Sequence, residues 1–558
     1  MPPDLIRPST SGVSLRALAE LIGAALQSPS DALVTGVSLD SRVVRPGDLY
    51  AALPGFNVHG AEFSTDAVRL GAVAVITDEA GAAVIRQSAR ETAQTGGEPG
   101  DQDEHRLGVP VLVVDQPRAR LGQVAAAVYG EPGADLTMIG ITGTNGKTTT
   151  AYLLESALRA LGRRTGLIGT IETRIGDERL DSAHTTPEAT DLHAFLALMR
   201  ERGVDACVME VSSHALDQHR VDGVVYDVAL FTNLSQDHLD YHRSMDDYFA
   251  AKADLFTPSR SRAGVVCVDD DWGRRLVAQA TVPLTTLTTR PMTRSEAGLD
   301  VRSDDDWVAT PRGADDDADS IHGQPFSLRH RSGDLSLALV SHLPGGFNVA
   351  NTALAAVGLM SIGFTPAQVE AALAVPPSVP GRMEVVAAGA AGEPRCIVDF
   401  AHTPDAIDAA LAALRPSTRG RLIAVLGAGG DRDRGKREAM GRAAARRADV
   451  VIVTDDNPRS EDPAVIRRAV LTGARSAVTE GAGVAIDVID GGGRAQAIGE
   501  AIAMAVLGAG GRTGGEGDTV VVLGKGHEKG QEVRGVMHPF DDREAVRAAL
   551  SAALGGDR

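Results

Sequence analysis

The stretch Gly140-Ile141-Thr142-Gly143-Thr144-Asn145-Gly146-Lys147-Thr148-Thr149-Thr150 constrains the fold more than any other part of the chain. An apolar run ending in Met138-Ile139 precedes it and reads as a buried strand. Ala151-Tyr152-Leu153-Leu154-Glu155-Ser156-Ala157-Leu158 follows it with the apolar spacing of a helix. Strand, glycine-rich turn and helix together frame a phosphate-binding loop, in which backbone N–H groups and the positive end of the helix face the phosphates. Lys147 is expected to reach the β- and γ-phosphates, and the Thr148 hydroxyl to ligate Mg²⁺. The strict pattern has glycine five residues before Gly146, where this chain has Ile141; glycines stand at Gly140 and Gly143 instead, so the loop is a variant. A glycine-rich turn that binds nothing is the alternative, and the Gly-Lys-Thr ending argues against it.

At 558 residues the chain has room for about three or four domains. Its net charge of -19 and its 3% aromatic content argue against a nucleic-acid partner, which needs basic surface and stacking platforms. Three widely spaced cysteines, Cys207, Cys267 and Cys396, have no metal-type spacing and fit a reducing compartment. Without an apolar run near the roughly 20 residues of a membrane span, and without a secretory signal, a soluble cytoplasmic protein is expected.

Residues 1–136 read as a small α/β domain. Leu15 to Leu26 has helical spacing, and strands are expected at 34–42, 48–53, 72–77 and 111–115. The polar stretch from Gln87 to Arg106 reads as a flexible loop. Residues 137–376 carry the phosphate loop, with further buried strands expected at 207–214, ending in polar residues, and at 228–234. Ligands of open α/β sheets sit beyond the carboxyl ends of the strands, where Glu210 and His238 lie. The runs Asp304-Asp305-Asp306 and Asp315-Asp316-Asp317, within 299–319, read as solvated loop. Residues 377–558 alternate strands (396–400, 422–426, 450–454, 520–523) with Ala-rich helices, the pattern of a parallel, Rossmann-like sheet. Gly427-Ala428-Gly429-Gly430-Asp431-Arg432 has Arg432 where a dinucleotide fingerprint needs its third glycine, so a tight turn is expected.

Several constellations admit more than one chemistry. Glu210 is either a Mg²⁺ ligand or a surface carboxylate. Ser212-Ser213-His214 lacks a nucleophile elbow, and neighbours on a strand point apart, which disfavours a serine hydrolase. Asp237-His238-Leu239-Asp240-Tyr241-His242 offers no third zinc ligand at suitable spacing. Lys252, alone in the apolar run Tyr248–Phe256, either snorkels to solvent or sits near metal and reacts with CO₂ to form an anionic carbamate.

With these segments in order, the chain resembles the Mur ligases, the ATP-dependent family that builds the peptidoglycan stem peptide. The resemblance rests on 142–149, Thr185-Thr186-Pro187, 210–214, 232–240, Phe347-Asn348-Val349-Ala350-Asn351, Gly381-Arg382-Met383-Glu384 and 399–405. Asp456-Asn457-Pro458-Arg459 and Gly524-Lys525-Gly526-His527-Glu528 point to the branch that adds the third residue, meso-diaminopimelate, to UDP-N-acetylmuramoyl-L-alanyl-D-glutamate. L-lysine in the same reaction, a folylpolyglutamate-synthase-like ligase and a nucleotide switch are the alternatives.

The resemblance implies three domains. The first holds the UDP end of the substrate through Leu39, Ser41, Phe56, Asn57 and Val58. The second binds ATP through Gly143, Thr144, Asn145, Gly146, Lys147, Thr148 and Thr149, with Asn348, Arg382 and Asp399 reaching adenine, phosphate and ribose. Thr185, Thr186, Ser212, Gln218 and Arg220 hold the muramoyl-dipeptide. Thr148 and Glu210 hold one Mg²⁺, and His238 with carbamylated Lys252 a second; Lys147, Glu210, His238 and Lys252 form the catalytic group. In the third domain Arg432, Asp456, Asn457, Pro458, Arg459, Gly524 and Glu528 receive diaminopimelate. The implied enzyme is a monomeric cytoplasmic ligase with small-molecule partners.

Overall fold

A computed structural model describes residues 7–26, 30–55, 57–94, 107–182, 184–289, 307–312, 323–389, 393–507 and 517–555. Among these residues the strands form three principal sheets. Near the N-terminus, Gly36–Ser38, Asp48–Ala51, Ala74–Thr77 and Val111–Val113 run parallel in that spatial order, with Ala25–Leu26 antiparallel at the edge. Helices Leu15–Ile22 and Pro117–Val128 contribute Leu18, Ile22, Leu121 and Val124 to its core.

The largest sheet has eleven strands. Its parallel centre runs Thr165–Ile168, Ala206–Glu210, Thr137–Thr142, Val228–Phe231, Gly264–Cys267 and Leu284–Thr288. These strands are mostly apolar because helices cover both faces. Thr137–Thr142 lies between Ala206–Glu210 on one side and Val228–Phe231 on the other, so the chain reverses its direction of winding there. At such a switch point the loops diverge and leave a crevice beyond the strand ends.

The third sheet orders Glu384–Ala388, Arg395–Asp399, Thr519–Leu523, Leu422–Leu426, Val450–Thr454 and Asp487–Gly492, with only the first strand antiparallel. It is the Rossmann-like layer expected from the alternating pattern.

Several local expectations differ from the structure. The helix expected over 15–26 ends at Ile22, because Gly23 adopts a left-handed φ of 63° and its N–H caps the last turn. Ala25–Leu26 then joins the sheet. The segment read as loop from Gln87 is helical through Gln94 in the helix Glu79–Gln94; the rest, 95–106, lies outside the described residues. Within 299–319, Trp307–Pro311 is a strand of the large sheet, burying Trp307 and Ala309. Both aspartate runs lie outside the described residues. Ser213 and His214 open a helix, Ser213–Asp217, capped by the Ser212 hydroxyl, instead of continuing the strand.

Candidate active site

The phosphate loop is built by close approach. Gly143 has φ 144° and Gly146 φ 90°, both unfavourable for a side chain. A Cβ on Gly143 would stand 1.9 Å from Thr232 Oγ1, and one on Gly146 would stand 2.4 Å from Asn351 Oδ1. Asn145 N–H donates to Asn233 Oδ1 (3.0 Å), and Thr144 N–H to Asn233 O (2.9 Å), which ties the loop to the neighbouring strand end. The helix Lys147–Ala160 begins at once, so its N-terminus faces the crevice. Lys147 folds back over the loop and donates to Gly143 O and Thr144 O, both at 2.9 Å. Burial holds its ammonium below the usual lysine range, against the pull of Glu210 and Asp237.

Glu210, 1% exposed, lies under this loop. Its Oε2 accepts from Thr148 Oγ1 (2.9 Å) and Thr170 Oγ1 (3.1 Å), and its Oε1 from Thr170 N–H (2.9 Å). A hydroxyl and a carboxylate are hard oxygen donors of the kind Mg²⁺ takes together with phosphate oxygens and water. Among the described residues no group of three or more His, Cys, Asp or Glu side chains could hold a metal unaided. Arg382 reaches Thr148 from the C-terminal part of the chain, its Nη2 donating to Oγ1 at 3.3 Å. Its guanidinium stacks on Phe400 at 4.1 Å, and its buried Nη1 has no hydrogen-bond partner among the described residues. A buried cationic donor left open at a phosphate loop has the chemistry of a phosphate ligand.

Lys252 is 1% exposed, on the helix Met245–Ala253, and donates to Gly143 O at 2.8 Å from behind the loop. It does not snorkel. Burial first, and Lys147 second, push its ammonium well below the usual range, so the neutral, nucleophilic amine is favoured. His238 adopts φ 55°, and burial keeps its ring neutral against the pull of Asp237. Asp237 is itself raised by burial, but His238, His402 and Lys436 together bring it below the usual carboxylate range. His402 Nε2 and Lys436 Nζ stand 3.8 and 3.6 Å from it, and Arg432 Nη1 stands 3.7 Å from Asp240. These pairs join the 235–240 loop to the third sheet's side of the cleft. The serine-nucleophile reading fails here. Ser213 Oγ does meet a histidine, His242 Nε2 at 2.9 Å, but Ser213 is 1% and His242 6% exposed, and neither lines the cleft.

One cleft of about 950 Å³ brings most of the expected residues together. Thr144 to Thr149, Glu210, His238, Asn348, Arg382 and Asp399 line it, as do Thr185, Thr186, Ser212 and Arg220. Facing them are Arg432, Asp456, Asn457, Arg459, Gly524 and Glu528. Gly143 and Lys252 lie behind the wall, and Gln218 and Pro458 do not line it. Leu39, Ser41, Asn57 and Val58 sit apart, on the N-terminal layer, and Phe56 lies outside the described residues. Several expected contacts are already committed elsewhere. Asp399 accepts from Met383 N–H and Ala401 N–H, both at 2.8 Å, and Thr186 Oγ1 donates to Glu210 O at 2.8 Å. Arg220 pairs with Glu188 at 2.9 Å, which also receives Arg118 from the N-terminal layer at 2.9 Å.

The far wall rests on buried charge. Lys525, 0% exposed, donates to Glu528 Oε2 (2.7 Å) and Asn457 Oδ1 (3.1 Å). Arg494 and Asp542, both fully buried, form a two-point pair behind Asp456. Arg459 adopts φ 51° and pairs with Glu532 at 3.3 Å, while Asp455 is taken by Arg467.

Residues 141–360 match the Mur ligase middle domain, 381–526 the Mur ligase glutamate ligase domain, and 33–129 the Mur ligase family catalytic domain. The chain belongs to the Mur ligase family. It is 49% identical to the UDP-N-acetylmuramoyl-L-alanyl-D-glutamate–2,6-diaminopimelate ligase of Streptomyces coelicolor, over 99% of each chain. The ligase of the same name from Corynebacterium glutamicum is 43% identical over 93% of this chain and 92% of its own. A solved structure bearing that ligase name has a TM-score of 0.62 at 30% identity, covering 97% of this chain and 99% of its own. The Mur ligase fold is shared more distantly with a MurF ligase from Thermotoga maritima in complex with ADP, at TM-score 0.57 and 18% identity over 94% and 99% of the two chains. Among the residues that sequence reasoning missed, Thr170, Lys436, Lys525 and Glu532 matter most; only Lys525, inside the Gly524–Glu528 segment, carried a signal.

Proposed function

We propose that this Mur ligase adds meso-2,6-diaminopimelate to UDP-N-acetylmuramoyl-L-alanyl-D-glutamate at the expense of ATP. The observation that carries the reading is the two-walled cleft: a phosphate loop with Glu210 and Arg382 on one wall, and Asp456–Arg459 with Glu528 on the other. The names of the relatives at 49% and 43% identity support the same substrate choice. ATP is the co-substrate. We read the chain as three domains, 1–136, 137–376 and 377–558, acting as a cytoplasmic monomer on small molecules. No described helix is long and apolar enough to cross a membrane.

The chemistry is set by charge. The D-glutamate carboxylate attacks the γ-phosphorus of ATP; the bond to the ADP oxygen breaks, leaving an acyl phosphate. Two anions meet in that step, so cations must neutralise them. Lys147 and Arg382 are the side chains placed for it. Thr148 with Glu210, and His238 with a carbamylated Lys252, would hold two Mg²⁺ ions, which when bound supply further positive charge to the phosphates. Lys252 becomes an anion by adding its amine nitrogen to CO₂ with release of one proton. Thr185, Thr186, Ser212, Gln218 and Arg220 orient the muramoyl-dipeptide, whose uridine end lies along Leu39, Ser41, Phe56, Asn57 and Val58. The neutral amine of diaminopimelate then attacks the acyl carbon, the new amide C–N bond forms as the nitrogen releases one proton, and phosphate leaves with the bonding pair. Arg459 takes the far carboxylate of diaminopimelate and Glu528 its far ammonium. The acyl phosphate must be kept from water, and the pairs from Asp237 to His402 and Lys436 hold the two walls together.

Phosphate release by the purified protein with ATP, UDP-muramoyl-dipeptide and a panel of amino acids tests this reading. Release that depends on both the dipeptide and diaminopimelate is expected; release driven by a folate and glutamate would replace it with the folylpolyglutamate alternative.

A further inference from the structure

Arg459 is held by its neighbours before any substrate arrives. Its backbone is zipped to the strand Gly530–Val533: Arg459 N–H donates to Glu532 O (3.0 Å), and Arg534 N–H to Arg459 O (2.7 Å). The side chain is committed as well. Nη1 donates to Gly430 O at 2.7 Å, and Nε faces Glu532 Oε2 at 3.3 Å. The other acids of this wall have cations of their own: Asp455 has Arg467, Asp456 has Arg494 at 3.8 Å, and Glu528 has Lys525. Glu532 is therefore the resident counter-ion of Arg459. The pair is part-exposed, with side-chain exposures of 24% and 34%, so either group can exchange partners without being stranded in apolar surroundings.

We infer that Glu532 competes with the substrate's far carboxylate for Arg459 and thereby sets how strongly the enzyme favours diaminopimelate over lysine. A carboxylate grips a guanidinium best along an edge of two nitrogens. The Nε–Nη2 edge has Glu532 at Nε, and the remaining edge includes Nη1, already given to Gly430 O. A bidentate grip by the incoming carboxylate displaces Glu532. Lysine has no such carboxylate, so it leaves the Arg459–Glu532 pair closed and loses nothing. Glu532 thus weakens diaminopimelate alone, and in that way narrows the preference over lysine.

The inference rests on the reading of Asp456–Arg459 as the amino-acid site, and its test is separable from that reading. Glu532→Gln keeps an acceptor for Arg459 Nε and removes the charge. Steady-state KM values for diaminopimelate and for L-lysine, measured on the wild type and this variant, are the readout. KM for diaminopimelate is expected to fall about two- to fivefold, the range for a part-exposed ion pair, with KM for lysine unchanged. An unchanged or higher KM for diaminopimelate overturns the inference. So does an equal change for both amino acids, which is what a general disturbance of the hairpin produces. Thermal unfolding of the variant within about 2 °C of wild type guards against misfolding. Failure of the underlying reading shows itself differently: Arg459→Ala would then use diaminopimelate as well as the wild type does, whatever Glu532 does.

Discussion

Replacing Lys147 with alanine removes the lysine side chain that folds back over the phosphate loop. Its Nζ stands 2.9 Å from both Gly143 O and Thr144 O, so a phosphate seated on the loop comes within about 4 Å of the charge. At an effective dielectric of about 20, a unit charge at that distance is worth about 4 kcal/mol. Charge on the γ-phosphoryl oxygens grows toward the transition state, so the loss falls on turnover and amounts to about a thousandfold. The fold should survive. Lys147 is the first residue of the helix Lys147–Ala160, alanine is a good helix former, and the lysine's bonds are to loop carbonyls that water can replace. The assay is phosphate release at saturating substrates, with thermal unfolding alongside. Activity within tenfold of wild type, in a variant of unchanged stability, would refute the phosphate-loop assignment.

Other perturbations follow from single residues. Lys252→Ala should be nearly inactive, and a small added carboxylic acid should restore part of the activity by supplying the missing anion; failure of every small acid, together with an unmodified amine in a nucleotide- and bicarbonate-soaked crystal, would remove the carbamate. Lys525→Met should raise KM for both amino acids by roughly ten- to a hundredfold, from the loss of charge-assisted hydrogen bonds worth about 1.5–3 kcal/mol, and leave KM for ATP unchanged; unaltered amino-acid KM values would deny it a positioning role. His193, 1% exposed and bonded to Asp222 O at 2.9 Å, has its imidazole pushed by burial from 6.5 to about 4. Its folded-state value is depressed, so the unfolded chain binds the extra proton. The stability it contributes is present above pH 6.5 and lost as pH falls toward 4, by about 3 kcal/mol at most. His193→Gln should flatten the fall of Tm with pH in that window, and an unchanged slope would count against it.

What the sequence made legible was chemistry confined to short segments. Gly143–Thr149 names its own turn and helix, and the apolar strands before it, at Ala206–Glu210 and at Leu422–Leu426, leave few choices but a covered parallel sheet. Partnerships across long separations were not legible. Lys436 meets Asp237 only because two sheets face each other across the cleft, and Glu532 meets Arg459 only because a hairpin folds back on it. Spacing also misled where a single residue overrode it. Gly23 stops a helix that the apolar pattern would continue, and the Ser212 hydroxyl starts one where the strand seemed to run on. Composition hid the helix through Gln94, whose polar residues suggested a loop although Ala82 and Ile85 are buried against the N-terminal layer. The sequence left two fates open for Lys252, and its burial excludes the solvent-exposed one.

The central claim is that the far wall selects diaminopimelate through Arg459. The two amino acids differ by one carboxylate, and the most direct measurement is kcat/KM for meso-diaminopimelate and for L-lysine on the wild-type enzyme and on Arg459→Ala. A carboxylate–guanidinium contact in such a site is worth about 2–5 kcal/mol, and the resident Glu532 places the expectation at the low end, a preference of roughly thirtyfold or more. The account predicts that preference in the wild type and its collapse in Arg459→Ala, through loss of diaminopimelate activity with little change for lysine. Equal values in the wild type, or a preference for lysine, would contradict it.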